Sequence, residues 1–197
     1  MSGLSPQRLI ATASAFVGLG EHVTDHVAGG LIDRLCHNGA SGDEPMPRAL
    51  DIAVIQHWGF WSQYDHSREQ SLWPMTSVRT AAELGTFAAE RGILRKEPEA
   101  GDVFLQYSPK RASFVHAGVV ARVCASGTMA VSRTYVDVHT IEGDANERGQ
   151  LGGGNTVRLA RRLWPSGGDR FARWVELDAS AACRVVRGDV AACSGWP

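Results

Sequence analysis

SFVHAGVVARVC, residues 113–124, is the stretch on which the reading of this chain turns. A run rich in valine and alanine, with few polar residues, suits a strand buried on both faces. His116 stands near its start and is out of place there unless something in the fold uses or satisfies an imidazole. The segments around it have the same texture. PEAGDVFLQY (98–107) predicts a turn and then a strand from Asp102, and ASGT (125–128) turns the chain into MAVSRTYVDVHTIEG (129–143). The alternation in that last segment suits a half-buried antiparallel strand. GGGNTVRLARRLW (152–164) and RFARWVELD (170–178) supply two more strands.

The half of the chain before these strands reads as helices. Ser5 and Pro6 form a start signal, and Leu9, Ile10, Ala13, Phe16 and Val17 follow with helical period. A second helix is expected from Asp25, with Val27, Leu31 and Leu35 on one face, and then a loop, HNGASGDEPMPR (37–48). ALDIAVIQHWGFWSQY (49–64) predicts a third helix, and SVRTAAELGTFAAERG (77–92) a fourth, capped by Ser77 and stopped by Gly92. Helices followed by short-linked strands define an α+β class, with N-terminal helices packed on a C-terminal antiparallel β-sheet. The expected domain covers residues 1–178. A small-residue tail, 179–197, follows it and contains CRVVRGDVAAC, which could close as a hairpin bridged by Cys183 and Cys193.

Bulk composition excludes some functions. Lys and Arg number 20 against 21 Asp and Glu, a formal net charge of −1, so no global field favours nucleic acid or an anionic membrane. No apolar run approaches the roughly 20 residues of a membrane-spanning helix, so no membrane insertion is expected. The N-terminus reads as a helix rather than a signal peptide. The four cysteines form no C-x-x-C pair, and the histidines do not share a chelating spacing, so neither a metal nor another cofactor is expected.

Two phrases are more specific than composition. E-A-G-D-V-F (99–104) is followed by V-H-A-G-V-V (115–120), and then T-I-E-G-D-A-N (140–146) precedes G-G-G-N-T-V-R-L-A-R-R. In this order they resemble the CHAP and NlpC/P60 group of papain-like cysteine hydrolases, over roughly residues 5–178. The resemblance implies peptidoglycan chemistry, as an N-acetylmuramoyl-L-alanine amidase or a cysteine endopeptidase of bacterial or phage origin. It also implies a thiolate at a helix N-terminus, a histidine on a facing strand, and a polar group that orients the imidazole. His116 matches the family histidine. Glu142, or else Asp144, matches the orienting residue, with Glu142 preferred.

The nucleophile expected from the resemblance is absent. Family members carry it in a phrase close to W-C-[AG]-x-F, and aligning that phrase on Trp58 puts Gly59 in the cysteine's place. Ser62 and Cys36 are the candidate substitutes. The preferred expectation is a catalytically inactive relative that binds a cell-wall peptide, a glycan or a protein partner, with Trp58 and Trp61 offering aromatic faces to a sugar. The alternative is an active peptidoglycan hydrolase using His116 with an unidentified nucleophile. Arg158, Arg161, Arg162, Arg170 and Arg173 could form a positive strip for stem-peptide carboxylates. The expected location is the cytoplasm, or the cell wall reached by a route other than Sec.

Overall fold

A computed structural model describes residues 4–18, 50–75, 78–128, 134–143, 156–164 and 168–177. Among them are three α-helices and a six-stranded antiparallel sheet, an α+β arrangement. The expected second helix from Asp25, the loop 37–48, Cys36, Ser77, Asp144 and the tail with Cys183 and Cys193 all lie outside the described residues.

Helix α1 spans Pro6–Ser14 and starts as the sequence predicts: the Ser5 hydroxyl accepts from Arg8 N at 3.3 Å, with proline in the first turn. Its Leu9 and Ala13 are fully buried. Helix α2, Leu50–Ser62, is apolar around its whole circumference, and every residue from Asp51 to Gln56 is buried. Such a helix belongs inside a domain rather than on its surface. A short hairpin, β1 (Tyr64–Asp65) and β2 (Gln70–Ser71), follows it. Helix α3, Ala81–Glu90, begins at Thr80, whose hydroxyl accepts from Glu83 N at 3.1 Å, while the Glu83 carboxylate accepts from Arg79 N at 2.7 Å. This cap sets the start of α3 later than the sequence reading placed it.

The sheet runs β3 (Leu94–Arg95), β8 (Arg170–Ala172), β4 (Val103–Ser108), β5 (Ser113–Thr128), β6 (Thr134–Glu142) and β7 (Arg158–Trp164), with every neighbouring pair antiparallel. RFARWVELD was expected to be one strand. Instead β8 is three residues long and passes into a 3-10 turn at Trp174–Glu176, where the Trp174 indole donates to Gly101 O at 2.7 Å and fixes the turn in the core. The two faces of the sheet carry different cores. Val103, Leu105, Ala117, Val119 and Ile141 join the helices around Trp58, Trp73 and Trp174. On the other face Phe104, Val120, Val138 and Phe171 form a smaller cluster, with Trp164 packed against it.

Asp102 of the E-A-G-D phrase is structural. It accepts from Glu99 N at 2.9 Å and pairs with Arg173 at 3.2 Å, closing the turn into β4 against the end of β8. No helix among the described residues is long and apolar enough to cross a membrane.

Candidate functional site

Four elements converge on His116. The first is β5 itself. Gln106 of β4 pairs with His116, but the next pair is Tyr107 with Phe114, so Val115 is an extra residue bulged from the ladder. A bulge bends its strand and re-aims the neighbouring side chain. His116 directly follows this one and is 2% exposed.

The second element is β6, whose last residue is Glu142. Its Oε2 lies 2.9 Å from His116 Nε2. The register, Val119 with Ile141 and Val120 with Thr140, brings Glu142 opposite Gly118. A Cβ built on Gly118 would stand 2.6 Å from Glu142 Cγ and 3.0 Å from Ile141 O. The glycine of H-A-G is therefore a clearance: only an unsubstituted strand lets the glutamate cross it to reach the imidazole.

The third element is β7. Arg162 Nε donates to Glu142 Oε1 and Arg162 Nη2 to Oε2, each at 2.6 Å, a two-point grip on the carboxylate. The Thr140 hydroxyl donates to Oε1 as well. The guanidinium is 4.6 Å from the Phe104 ring centroid, so the aromatic face of the smaller core backs it.

The fourth element is the first turn of α2, and it carries Asp51. The Asp51 carboxylate is 3.3 Å from His116 Nδ1 and also accepts from Ala117 N at 2.9 Å and from Ile52 N at 2.9 Å. The β5–β6 pairing begins only at Val119, so Ala117 has no ladder partner from β6, and the aspartate takes that place. Both imidazole nitrogens thus meet a carboxylate.

These contacts fix the charge state. Burial alone would lower the His116 pKa, but the hydrogen bonds that Asp51 and Glu142 accept, with their charges, raise it to about 9. Burial would raise Glu142, but bonds from His116 and Arg162 bring it down to about 2. The centre is a row of acid and base in alternation, Asp51, His116, Glu142 and Arg162, with the first three buried.

The other residues singled out in the sequence lie elsewhere. Gly59, read as the vacated nucleophile position, sits two turns down α2, about 12 Å from Asp51 at the helical rise. A Cβ there would meet the Trp73 indole at 2.0 Å, so glycine at 59 makes room for tryptophan packing and does not face His116. Trp58 is 0% exposed and belongs to the main core, which leaves no face for a sugar. Trp61 is half-buried near the far end of the helix, in a string of ring contacts with His57, Phe60 and Tyr64. Ser62 is buried, and its hydroxyl donates to Gly59 O at 3.1 Å. The arginines do not form a free positive strip. Arg158 donates to the Thr156 hydroxyl, Arg161 pairs with Asp137, Arg162 with Glu142, Arg170 with Asp169 O, and Arg173 with Asp102 and Glu99.

Sequence reasoning passed over Asp51 because an acidic residue in a first helical turn is ordinary; it complements the helix dipole wherever it occurs. The available signal was position. Asp51 opens a mostly apolar helix, whereas Trp58 and Trp61 lie toward its far end. Among the described residues no group of three or more His, Cys, Asp or Glu side chains could hold a metal ion. Comparison with protein-family models, with curated proteins and with solved structures found no match to the chain.

Proposed function

We propose that this chain is a papain-like domain of the CHAP and NlpC/P60 type that has given up covalent catalysis and binds a cell-wall peptide through the old cleft. The observation that carries this reading is Asp51 in the first turn of α2, in contact with His116. That is where a papain-like hydrolase needs its thiolate, at a helix N-terminus beside the imidazole. In this alignment Leu50-Asp51-Ile52-Ala53-Val54 takes the place of W-C-[AG]-x-F, and Asp51 rather than Gly59 replaces the cysteine. Glu142 remains the group that orients the histidine.

The contacts argue against turnover. A covalent hydrolase needs a thiolate beside its imidazolium, and the group beside His116 is the Asp51 carboxylate instead. Asp51 is tied to two backbone amides and the imidazole, so it serves as a staple between α2 and β5. The polar centre is retained, and its use is to hold the cleft in shape.

Incubation of the wild-type chain with purified sacculi tests the proposal. The protein should sediment with the sacculi and release no muropeptides. Release that disappears in His116→Ala would overturn it in favour of an enzyme working through Asp51; failure to sediment would remove the cell wall as the partner.

A further inference from the structure

The sheet carries an apolar row that the three described helices leave uncovered. Along β7, Leu159, Arg161 and Leu163 share one face, and the two leucines are 56% and 46% exposed. That face is the helix side of the sheet, because Leu159 lies opposite Ile141, whose side chain belongs to the main core. Val17, the third large apolar side chain exposed among the described residues, stands at the same edge. Its neighbour Gly18 donates from N to Val157 O at 2.9 Å, one residue before β7. Between the leucines the face is basic. Arg122, His139 and Arg161 lie opposite one another across β5, β6 and β7, and Asp137 is the one acid in the neighbouring pairs with Cys124 and Leu163.

Residues 19–49, outside the described residues, depart from this edge. They follow Gly18 at the start of β7 and rejoin the described chain at Leu50, beside Asp51, which holds β5 through Ala117 N. The segment has an apolar stripe of its own, Val27, Leu31 and Leu35, spaced as one face of a helix. Along a helix Val27 to Leu35 spans about 12 Å, and along a strand Leu159 to Leu163 spans about 13 Å. Its charge opposes that of the basic row, with Glu21, Asp25, Asp33, Asp43 and Glu44 against Arg34 and Arg48. Gly29 and Gly30 weaken a helix standing alone, so a helix here needs a surface to lie on. Other segments fit the face less well. Residues 144–155 carry a single large apolar side chain, Leu151, and the chain after Leu177 leaves from the β3–β8 edge, across the sheet from β7.

We propose that residues 25–36 dock as a helix on the exposed face of β7, with Val27, Leu31 and Leu35 over Leu159 and Leu163 and the acids of the segment toward the Arg122–Arg161 row. The face is thus an intramolecular docking surface, and the inference is independent of any ligand of the His116 site.

Hydrogen exchange by mass spectrometry on the full-length chain, on Leu163→Glu and on Leu31→Glu, with sedimentation velocity of all three, tests this. Wild type should be a monomer in which the amides of residues 25–36 exchange about tenfold or more slowly than in an unstructured peptide of the same sequence. Either substitution should restore fast exchange there while the β4–β5 amides keep their protection. Fast exchange over 25–36 in wild type would overturn the docking and leave the face to a separate partner. Protection that survives both substitutions would overturn β7 as its seat. A wild-type dimer that Leu163→Glu splits, with 25–36 exchanging alike in both, would give the face to a second copy and overturn the proposal. Should Leu163→Glu lose its β4–β5 protection, Leu159→Gln makes a milder change in the same row and is read in the same way.

Discussion

Asp51 Oδ2 stands 3.3 Å from His116 Nδ1 and 2.9 Å from Ala117 N, so one carboxylate oxygen joins the first turn of α2 to the imidazole and to the backbone of β5. The two residues are 65 positions apart in the chain, and nothing else among the described contacts ties the start of α2 to this strand as tightly. The relationship is also a charge arrangement. It leaves His116 with carboxylates on both sides and Arg162 behind the second of them.

Removing one partner from such a centre leaves the rest buried and uncompensated. Asp51→Ala is expected to lower unfolding stability by about 3–5 kcal/mol, and Asp51→Asn by less, because an amide oxygen still accepts from Ile52 N and Ala117 N. Urea unfolding of the three proteins checks the order; equal stability of Asp51→Ala and wild type would contradict the staple.

The pH dependence has two limbs with opposite signs. The folded-state pKa of His116 is raised to about 9, so its contribution is complete below the unfolded value, near 6.5, and is lost as pH rises through 9. The folded-state pKa of Glu142 is depressed to about 2, so its contribution is complete above the unfolded value, near 4.5, and is lost as pH falls toward 2. Stability should be flat between roughly pH 5 and 6 with respect to these two groups. In His116→Gln the decline between pH 7 and 9 should flatten. Denaturation midpoints measured across the range test this, and an unchanged alkaline limb in the variant would count against the buried imidazolium.

Much of the fold was legible because its signals are local. The Ser5-Pro6 start of α1, the alternation of β6 and the turn before β4 each depend on residues within a few positions. His116 and Glu142 were legible through short phrases, and the structure brings them to 2.9 Å. Asp51 was not, because its role comes from a contact across 65 positions and its local pattern, an acid opening a helix, is common. Gly59 was misread for the converse reason. A glycine between tryptophans invites alignment to a motif, but its cause is the Trp73 ring, 14 residues later and reached only through the packing.

Gly118 is expected to tolerate no side chain. A methyl group would press on Glu142 Cγ and Ile141 O, so Gly118→Ala should cost about 1–3 kcal/mol and push the carboxylate away from His116. The His116 imidazole titration followed by NMR should then move to lower pH. A variant with wild-type stability and the same His116 titration would show that the clearance is not needed.

Gly59→Cys, the substitution that the sequence alone would nominate to restore a thiol nucleophile, should instead destabilise the protein. Its Cβ has no room beside Trp73, and its sulfur would lie about 12 Å along α2 from the helix start. Muropeptide release by Gly59→Cys would refute this placement of the site.

The most direct measurement is the pH dependence of iodoacetamide alkylation at residue 51 in folded Asp51→Cys, followed on the peptide that contains it, with His116→Gln added as the control. If Asp51 occupies the place of a papain-like nucleophile, a cysteine there meets a helix N-terminus and an imidazolium held by Glu142, which Arg162 grips in turn. Its apparent pKa should fall well below the ordinary value of about 8.5 and return toward that value when His116 is removed. An alkylation profile centred on the ordinary value, the same with and without His116, would contradict the account.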